Sequence, residues 1–527
     1  MPIVGFDGHG MLPSLTEGSD VVRGRNDWGA KIIALLTGTM MIWSLSACGQ
    51  QQAPSPAPSP TQSSSSSTVD TGQVAVFLPD DGITLSQSTP LNKWTKLNSA
   101  LENALTDDGF ADKDVTSVKS KNIDDQTKSI NDYIDRHGDD ARPSTIIIAP
   151  VAQPDDITRQ YGDYVSQSLP TEADASSGNP DDIDQAGRVA NLSAALTKAK
   201  DAGIHVIMVA NTIEGYAPDA YVSMSSIREI AHTQATLLSD KLELSKATAD
   251  NPRSIEILLP SNGDDTADQE AFAGIWEVLG PYFKSGAAIS PSGFLTTESD
   301  ENSWSRVTFS GTDKDSARSV LTERLKSDSE NAHVPIDGVL AMNDLVASGA
   351  LSALSDLGYE GTSADINPKI TIGGIVDNIA GNKDLKKNKV PEPQKMSGSQ
   401  QSVDGGSGDG SGTSSDGQRQ PVDDPAWPIV TGYGTYLSNL SSVVNGQQWS
   451  TGLERRDDYA KAIAMASAAL NTGEKLGDVK DLPLSGNTEM NGVDVSTIHL
   501  SLQNVSAGNL KSALIDPGYI SAADAGL

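Results

Sequence analysis

Cysteine occurs once in the 527 residues, at position 48, so no disulfide can close within the chain and no thiolate cluster can hold a metal ion. Histidine is scarce too: the six, at positions 9, 137, 205, 232, 333 and 499, are scattered and form no His-x-x-x-His pair. A Gly-x-Ser-x-Gly elbow and a phosphate-binding loop are also missing, so the residues recommend neither an enzyme nor a cofactor. Positive charge is short: 38 Lys+Arg stand against 70 Asp+Glu, a formal charge of −32. Such a chain repels phosphate backbones and anionic headgroups, which excludes nucleic acid and acidic membrane surfaces as partners. Aromatics make up 5% and charged residues 20%, so the acidity is spread over an ordinary globular composition as a solvated exterior. Asp155-Asp156 and Asp457-Asp458 read as such solvated pairs, and His205, inside an apolar run, reads as a core residue.

What is present begins with an export signal. Arg23, Arg25 and Lys31 precede the apolar run Ile32 to Leu45, which is short for a membrane span and has the basic-then-apolar layout of a signal peptide. Leu45-Ser46-Ala47-Cys48-Gly49 closes the run and resembles the bacterial lipobox, in which the cysteine thiol receives a diacylglyceryl group and becomes the new N-terminus. The Ser/Pro/Gln stretch from Gln50 to Thr71 has almost nothing to bury and is expected to be an extended tether. Residues 1–47 are therefore leader and signal, and 48–71 are the lipidated Cys48 with its tether. The body is placed on the outer face of a bacterial cell membrane.

From Gly72 onward, apolar runs of strand length alternate with amphipathic helical stretches, the sign of parallel sheets with helical crossovers. Strands are expected at 73–78, 114–118, 144–151 and 205–210. Helices are expected near 90–105, 123–136 and 186–200. A second series follows, with strands at 254–260, 306–310, 337–342, 370–376 and 428–433 and helices near 269–283, 317–325 and 345–357. The fold class is α/β, two doubly wound lobes. Residues 72–250 are assigned mainly to the first lobe, 251–497 mainly to the second, and 498–527 to a segment crossing back between them. Two polar insertions, 153–185 and the Gly/Ser-rich 386–426, are expected to be surface loops, the second disordered.

Several segments, in order, resemble the type I periplasmic sugar-binding proteins of ABC transporters, especially the xylose and multiple-sugar receptors. They are KSKNIDDQTKSINDYI with STIIIAPVA (119–152), AGIHVIMVA (202–210), DAYVSMSSIREIAHTQATLL (219–238) and GIWEVLGPYFKSG (274–286). GVLAMNDLVASGALSALSDLGYEG (338–361), PIVTGYGTYLSNLSSVVNGQQWST (428–451) and NLKSALIDPGYISAADA (509–525) complete the set. The resemblance implies Rossmann-like lobes joined by three crossovers, a monomer that closes on a sugar-like ligand and presents itself to an ABC permease, and no cofactor.

Open α/β sheets bind ligands beyond the carboxyl ends of their strands, so residues just after each strand are the candidates. Asp80 and Asp81 follow the first strand. Lys93 and Trp94 fall where the family has Arg-Trp, with Trp94 placed either to stack on a sugar face or to pack its helix on the sheet. Asn343-Asp344 matches the family's Asn-Asp, and either faces the cleft or caps the next helix. Elsewhere the pattern departs: Ala210-Asn211 stands for Asp-Arg, Ser225-Ser226 for Asp-Asn, and Gly434, beside Tyr433 and Tyr436, for an aspartate. The pocket is then filled by Asn211, Ser225, Ser226 and Tyr433. Asn262, Asp264 and Asp265 roughly match an acidic family loop or form a solvated turn. With three anchors missing, two readings stand: a saccharide or polyol receptor of an ABC importer, or a surface receptor or scaffold that kept the fold without the sugar anchors. A repressor of the same fold is disfavoured by the export signal.

Overall fold

The computed structural model describes residues 70–81, 88–173, 180–261, 263, 265–327, 333–363 and 426–527. Cys48, the tether as far as residue 69, Asn262, Asp264, the expected strand at 370–376 and residues 386–425 lie outside them.

The first lobe runs β1 (Gln73–Pro79), α1 (Trp94–Asp107), β2 (Val115–Ser120), α2 (Ile123–His137), β3 (Ser144–Ile148) and a short β4 (Ser168–Leu169). It continues with α3 (Pro180–Asp201), β5 (His205–Val209), a short β6 (Thr212–Ile213) and β7 (Ala220–Ser223). β1 and β3 are nearly buried throughout, as expected of central parallel strands covered by helices on both faces. Val76, Leu78, Leu97 and Leu101 build the core on one face, and Phe77, Ile130, Ile146 and Val189 the core on the other. Asn122 starts α2 by accepting the Asp125 N–H at 2.8 Å, the expected work of an Asn at that position.

The second lobe holds α4 (Ile227–Lys241), β8 (Arg253–Ser261), α5 (Asp265–Lys284), a short β9 (Ala288–Ile289), α6 (Trp304–Val307) and β10 (Thr308–Ser310). It goes on through α7 (Lys314–Arg324), β11 (Gly338–Ala341), α8 (Asp344–Asp356), β12 (Ile429–Val430) and β13 (Ser450–Leu453). Its sheet has the order β10-β8-β11-β12 among the described residues, with β9 beside β8. The expected strand at 306–310 is shortened because Trp304–Val307 form a helical turn first.

The chain then returns. The helix Arg456–Thr472 packs Tyr459, Ile463 and Ala466 into the core that α1 also covers. β14 (Leu484–Met490) and β15 (Val493–His499) extend the first sheet to the order β14-β15-β7-β5-β3-β1-β2. β16 (Gln503–Ser506) crosses back to pair with β13. Both lobe boundaries therefore differ from the expectation. Residues 456–499 join the first lobe because β15 pairs in parallel with β7. Residues 227–241 join the second because Ile230, Ala231 and Leu238 share a core with Phe272 and Ile275 of α5.

The three crossovers, near Ser225, Glu454 and Leu500, meet in one buried cluster. The Tyr459 hydroxyl lies 3.0 Å from the Ser223 carbonyl oxygen and 3.1 Å from that of Leu500, and accepts the Leu500 N–H. Glu454 accepts the Ser225 N–H at 3.0 Å, and burial pushes its pKa up to about 7. His499 reaches the Ser223 carbonyl from Nδ1 at 3.0 Å and Glu229 from Nε2 at 2.7 Å. Both ring nitrogens donate only in the imidazolium form, which agrees with a pKa raised to about 9, chiefly by the bond to Glu229.

Candidate functional site

A cleft of about 600 Å³ opens between the lobes at the carboxyl ends of the first-lobe strands. Pro79 at the end of β1, Asp80 and Asp81 after it, Ser120 and Lys121 at the end of β2, Val151 to Pro154 after β3 and Asn211 after β5 line it. Leu345 and Tyr436 contribute from the second lobe. Residues 153–167, the first part of the acidic stretch expected to be a surface loop, lie against the cleft instead. Ile157, Gln160, Tyr161, Tyr164 and Val165 are buried, because this stretch carries its own apolar side chains inward between the lobes.

Asp81 does not point freely into the cleft; it accepts the Thr95 N–H at 3.0 Å and the Thr95 hydroxyl, fastening the first turn of α1. Lys93 pairs with Asp163 at 3.1 Å, and Asp163 also accepts the Trp94 N–H at 3.1 Å. Burial nevertheless raises the Asp163 pKa, against the pull of Lys93. Trp94 lines the cleft, but it is 5% exposed and its ring lies 5.1 Å from that of Tyr164, so packing holds most of it. Asn211 lines the cleft while bonding inward, accepting from Gln167 N–H at 3.1 Å and donating to the Pro150 carbonyl at 2.9 Å.

The other candidates fall away from the opening. Ser225 is fully buried at the first crossover. Ser226 caps α4 by accepting the Glu229 N–H, and Asp265 is the first residue of α5 and exposed. Asn343 caps α8 through the Val346 N–H at 3.0 Å and donates to Gln160 at 2.9 Å. Asp344 is fully buried and receives Gln448 Nε2 at 2.7 Å, Thr451 Oγ1 at 2.9 Å and the Tyr436 N–H at 2.8 Å. Burial pushes its pKa up to about 7 against those three donors. It fastens the loops after β12 together. Tyr433 is 1% exposed, and its hydroxyl accepts from Asn92 at 3.2 Å.

Backbone strain marks both rims. Ala210, directly after β5, has φ 58° and Thr435, after β12, has φ 51°, conformations that cost a non-glycine residue about 1 to 3 kcal/mol and persist where the surroundings enforce them. Gly434 has φ +108°, and a Cβ there would meet the Tyr436 ring at 2.9 Å. The aspartate that the resemblance puts at this position has no room.

Gln160, Tyr161 and Tyr436 were not singled out as ligand-facing groups, although Tyr436 was noted beside Gly434. For Gln160 and Tyr161 the signal is faint, an amide and an aromatic in a stretch rich in Asp and Ser whose polarity argues for solvent. Among the described residues no group of three or more His, Cys, Asp or Glu is arranged to hold a metal ion, and no helix is long and apolar enough to cross a membrane.

A family model described as periplasmic binding protein domain matches residues 185–387. The multiple sugar-binding periplasmic receptor ChvE of Rhizobium radiobacter is 26% identical over 332 residues, 63% of this chain and 72% of the receptor. Among solved structures, an ABC transporter solute-binding protein from Clostridium phytofermentans with bound β-D-glucose is 18% identical with a TM-score of 0.45, over 86% of this chain and 99% of that one. A carbohydrate transporter solute-binding protein from Chloroflexus aurantiacus, in complex with D-glucose, is 17% identical with a TM-score of 0.45, over 86% of this chain and 97% of that one.

Proposed function

We propose that this chain is a type I periplasmic binding protein, a lipid-anchored, extracytoplasmic receptor that delivers a saccharide or related polyol to an ABC importer. It is a binding protein and not an enzyme. The observation that carries the proposal is the polar cleft between the lobes at the strand ends, about 600 Å³ and large enough for a small sugar. Asp80, Lys121 and Gln153 supply planar and charged groups to hydroxyls there, and Trp94 lines the same cleft as its aromatic surface. Hydroxyls need matched partners, since each buried one left unpaired costs about 1 to 3 kcal/mol. Cys48 holds the receptor to the membrane through its lipid, and lobe closure about the three crossovers commits the solute.

A thermal-shift screen of the full chain against monosaccharides, polyols and oligosaccharides tests this. A ligand at about 100 times its dissociation constant adds about 2.7 kcal/mol, a shift of several degrees. Asp80→Asn is expected to remove the shift while leaving the unliganded melting point in place. Silence across the screen would reject the sugar reading. Cys48→Ser is expected to move the protein out of the membrane fraction, and continued sedimentation of the processed variant with membranes would reject the anchor.

A second reading, a receptor or scaffold for a protein partner, is favoured by one observation: Asn343, Asp344 and Tyr433 spend their polar groups inside the body. Genes for a permease and an ATPase found beside the gene for this chain would favour transport over it, and their absence would favour the scaffold.

A further inference from the structure

The segment Asp155–Gln167 leaves the first lobe after β3 and makes contacts to both lobes. Gln160 stands against three strand ends of the second lobe. Its Nε2 donates to the Gly311 carbonyl after β10 at 2.8 Å, its Oε1 accepts from Asn343 after β11 at 2.9 Å, and its carbonyl accepts from the Tyr436 hydroxyl after β12 at 2.8 Å. Tyr161, fully buried, lies in the second lobe's core with its ring 6.2 Å from that of Tyr433. A few residues on, the same segment grips the first lobe. Asp163 holds Lys93 and the Trp94 N–H, the Tyr164 hydroxyl donates to the Lys93 carbonyl at 2.6 Å, and the Gln167 N–H donates to Asn211. Ser166 donates from its hydroxyl to the Met224 carbonyl at the first crossover at 2.8 Å.

A planar amide fixed by two directional bonds, next to an aromatic ring, at the carboxyl ends of the strands of both lobes, is the contact pattern by which a two-lobed α/β receptor grips a solute. Here the chain makes it with itself. We propose that Asp155–Gln167 is a tethered internal occupant of the interlobe cleft: Gln160 and Tyr161 hold the lobes together without solute, and an external solute must displace Gln160 to reach the second lobe. The segment is also why Asn343 and Asn211 face protein partners. A linkage follows, since a solute's apparent affinity is reduced by the fraction of molecules in which the segment is released. That last step rests on the receptor reading; the closed resting state does not.

The single cysteine makes the test direct. In a full-length Cys48→Ser chain, Lys128→Cys on α2 and Ser319→Cys on α7 place one spin label on each lobe. Pulsed electron–electron resonance then reads the distance between them. The parent chain is expected to give one narrow distance that 10 mM D-glucose, a probe concentration of about the millimolar order at which weak ligands bind, leaves unchanged. Gln160→Ala, and Gln160→Ala with Tyr161→Ala, are expected to add a longer, broader population. A broad distribution in the parent chain, or a narrow unchanged one in Gln160→Ala, would overturn the proposal. Circular dichroism confirms folding, and if the double variant does not fold the single one decides. Calorimetric titration with D-glucose separates the two readings. Binding tightened about tenfold or more by Gln160→Ala supports both. Opened lobes with no solute bound keep the internal occupant and reject the sugar receptor.

Discussion

Asp344 shows how one residue's role turns on its neighbours. A carboxylate placed directly after a strand, ahead of an apolar helix, fits a ligand-facing group and a helix-capping group equally. The surroundings make it neither: Asn343 does the capping, and Asp344 receives Gln448, Thr451 and the Tyr436 N–H. Asp344→Ala leaves the Thr451 hydroxyl and the Tyr436 N–H without this acceptor, each at about 1 to 3 kcal/mol, while Gln448 keeps its bond to the Ser450 carbonyl at 3.1 Å. The melting temperature is expected to fall by roughly 5 °C or more, readable by calorimetry without ligand. An unchanged melting point would return Asp344 to the cleft.

At the scale of elements, the strand-to-helix loops carry the departures from the pattern of the family the sequence resembles, and their backbone explains one of them. Gly434 sits at φ +108° with the Tyr436 ring 2.9 Å from where a Cβ would stand. Gly434→Asp restores the family's residue type but forces a side chain into a left-handed position that is already occupied. It is expected to lower the melting point by several degrees and to confer no sugar affinity. A stable variant with new sugar binding would show that the 433–436 loop can be rebuilt. The segment after β3 departs the other way. Its polarity suggested solvent, yet Ile157, Tyr161 and Val165 lie in the second lobe's core, and the polar groups between them bond to strand ends.

For the whole molecule, the groups that titrate in the middle of the pH range act in one direction. Asp344 and Glu454 bind protons more tightly folded, near pH 7, than their ordinary values of 3.8 and 4.5. The folded state then holds more protons than the unfolded one between about pH 4 and 7, and stability falls as pH rises through that window. His499 is raised from 6.5 to about 9, so its contribution is full below 6.5 and lost as pH climbs through 9. The net charge of −32 adds self-repulsion of the same sign. Melting temperature is expected to decline from pH 5.5 to pH 8.5. Glu454→Gln is expected to flatten the acidic half of that slope, and a rising curve would contradict these assignments.

The sequence by itself determined the elements and the architecture, because buried parallel strands and the helices over them write their periods locally: β1, β3, β5, α2 and α8 stand within a few residues of where the pattern put them. It also determined which strand ends face the cleft, since that follows from direction alone. Only the tertiary structure decided which side chains at those ends are free. Asn211, Asn343 and Asp344 are engaged by partners 44, 183 and 104 residues away in the chain. The second lobe's boundaries depended likewise on long-range pairing, as β15 joins β7 across hundreds of residues. Contacts of that span leave no local period, so the identity of the cleft's occupant, whether solute or Gln160, becomes legible only once the lobes are folded together.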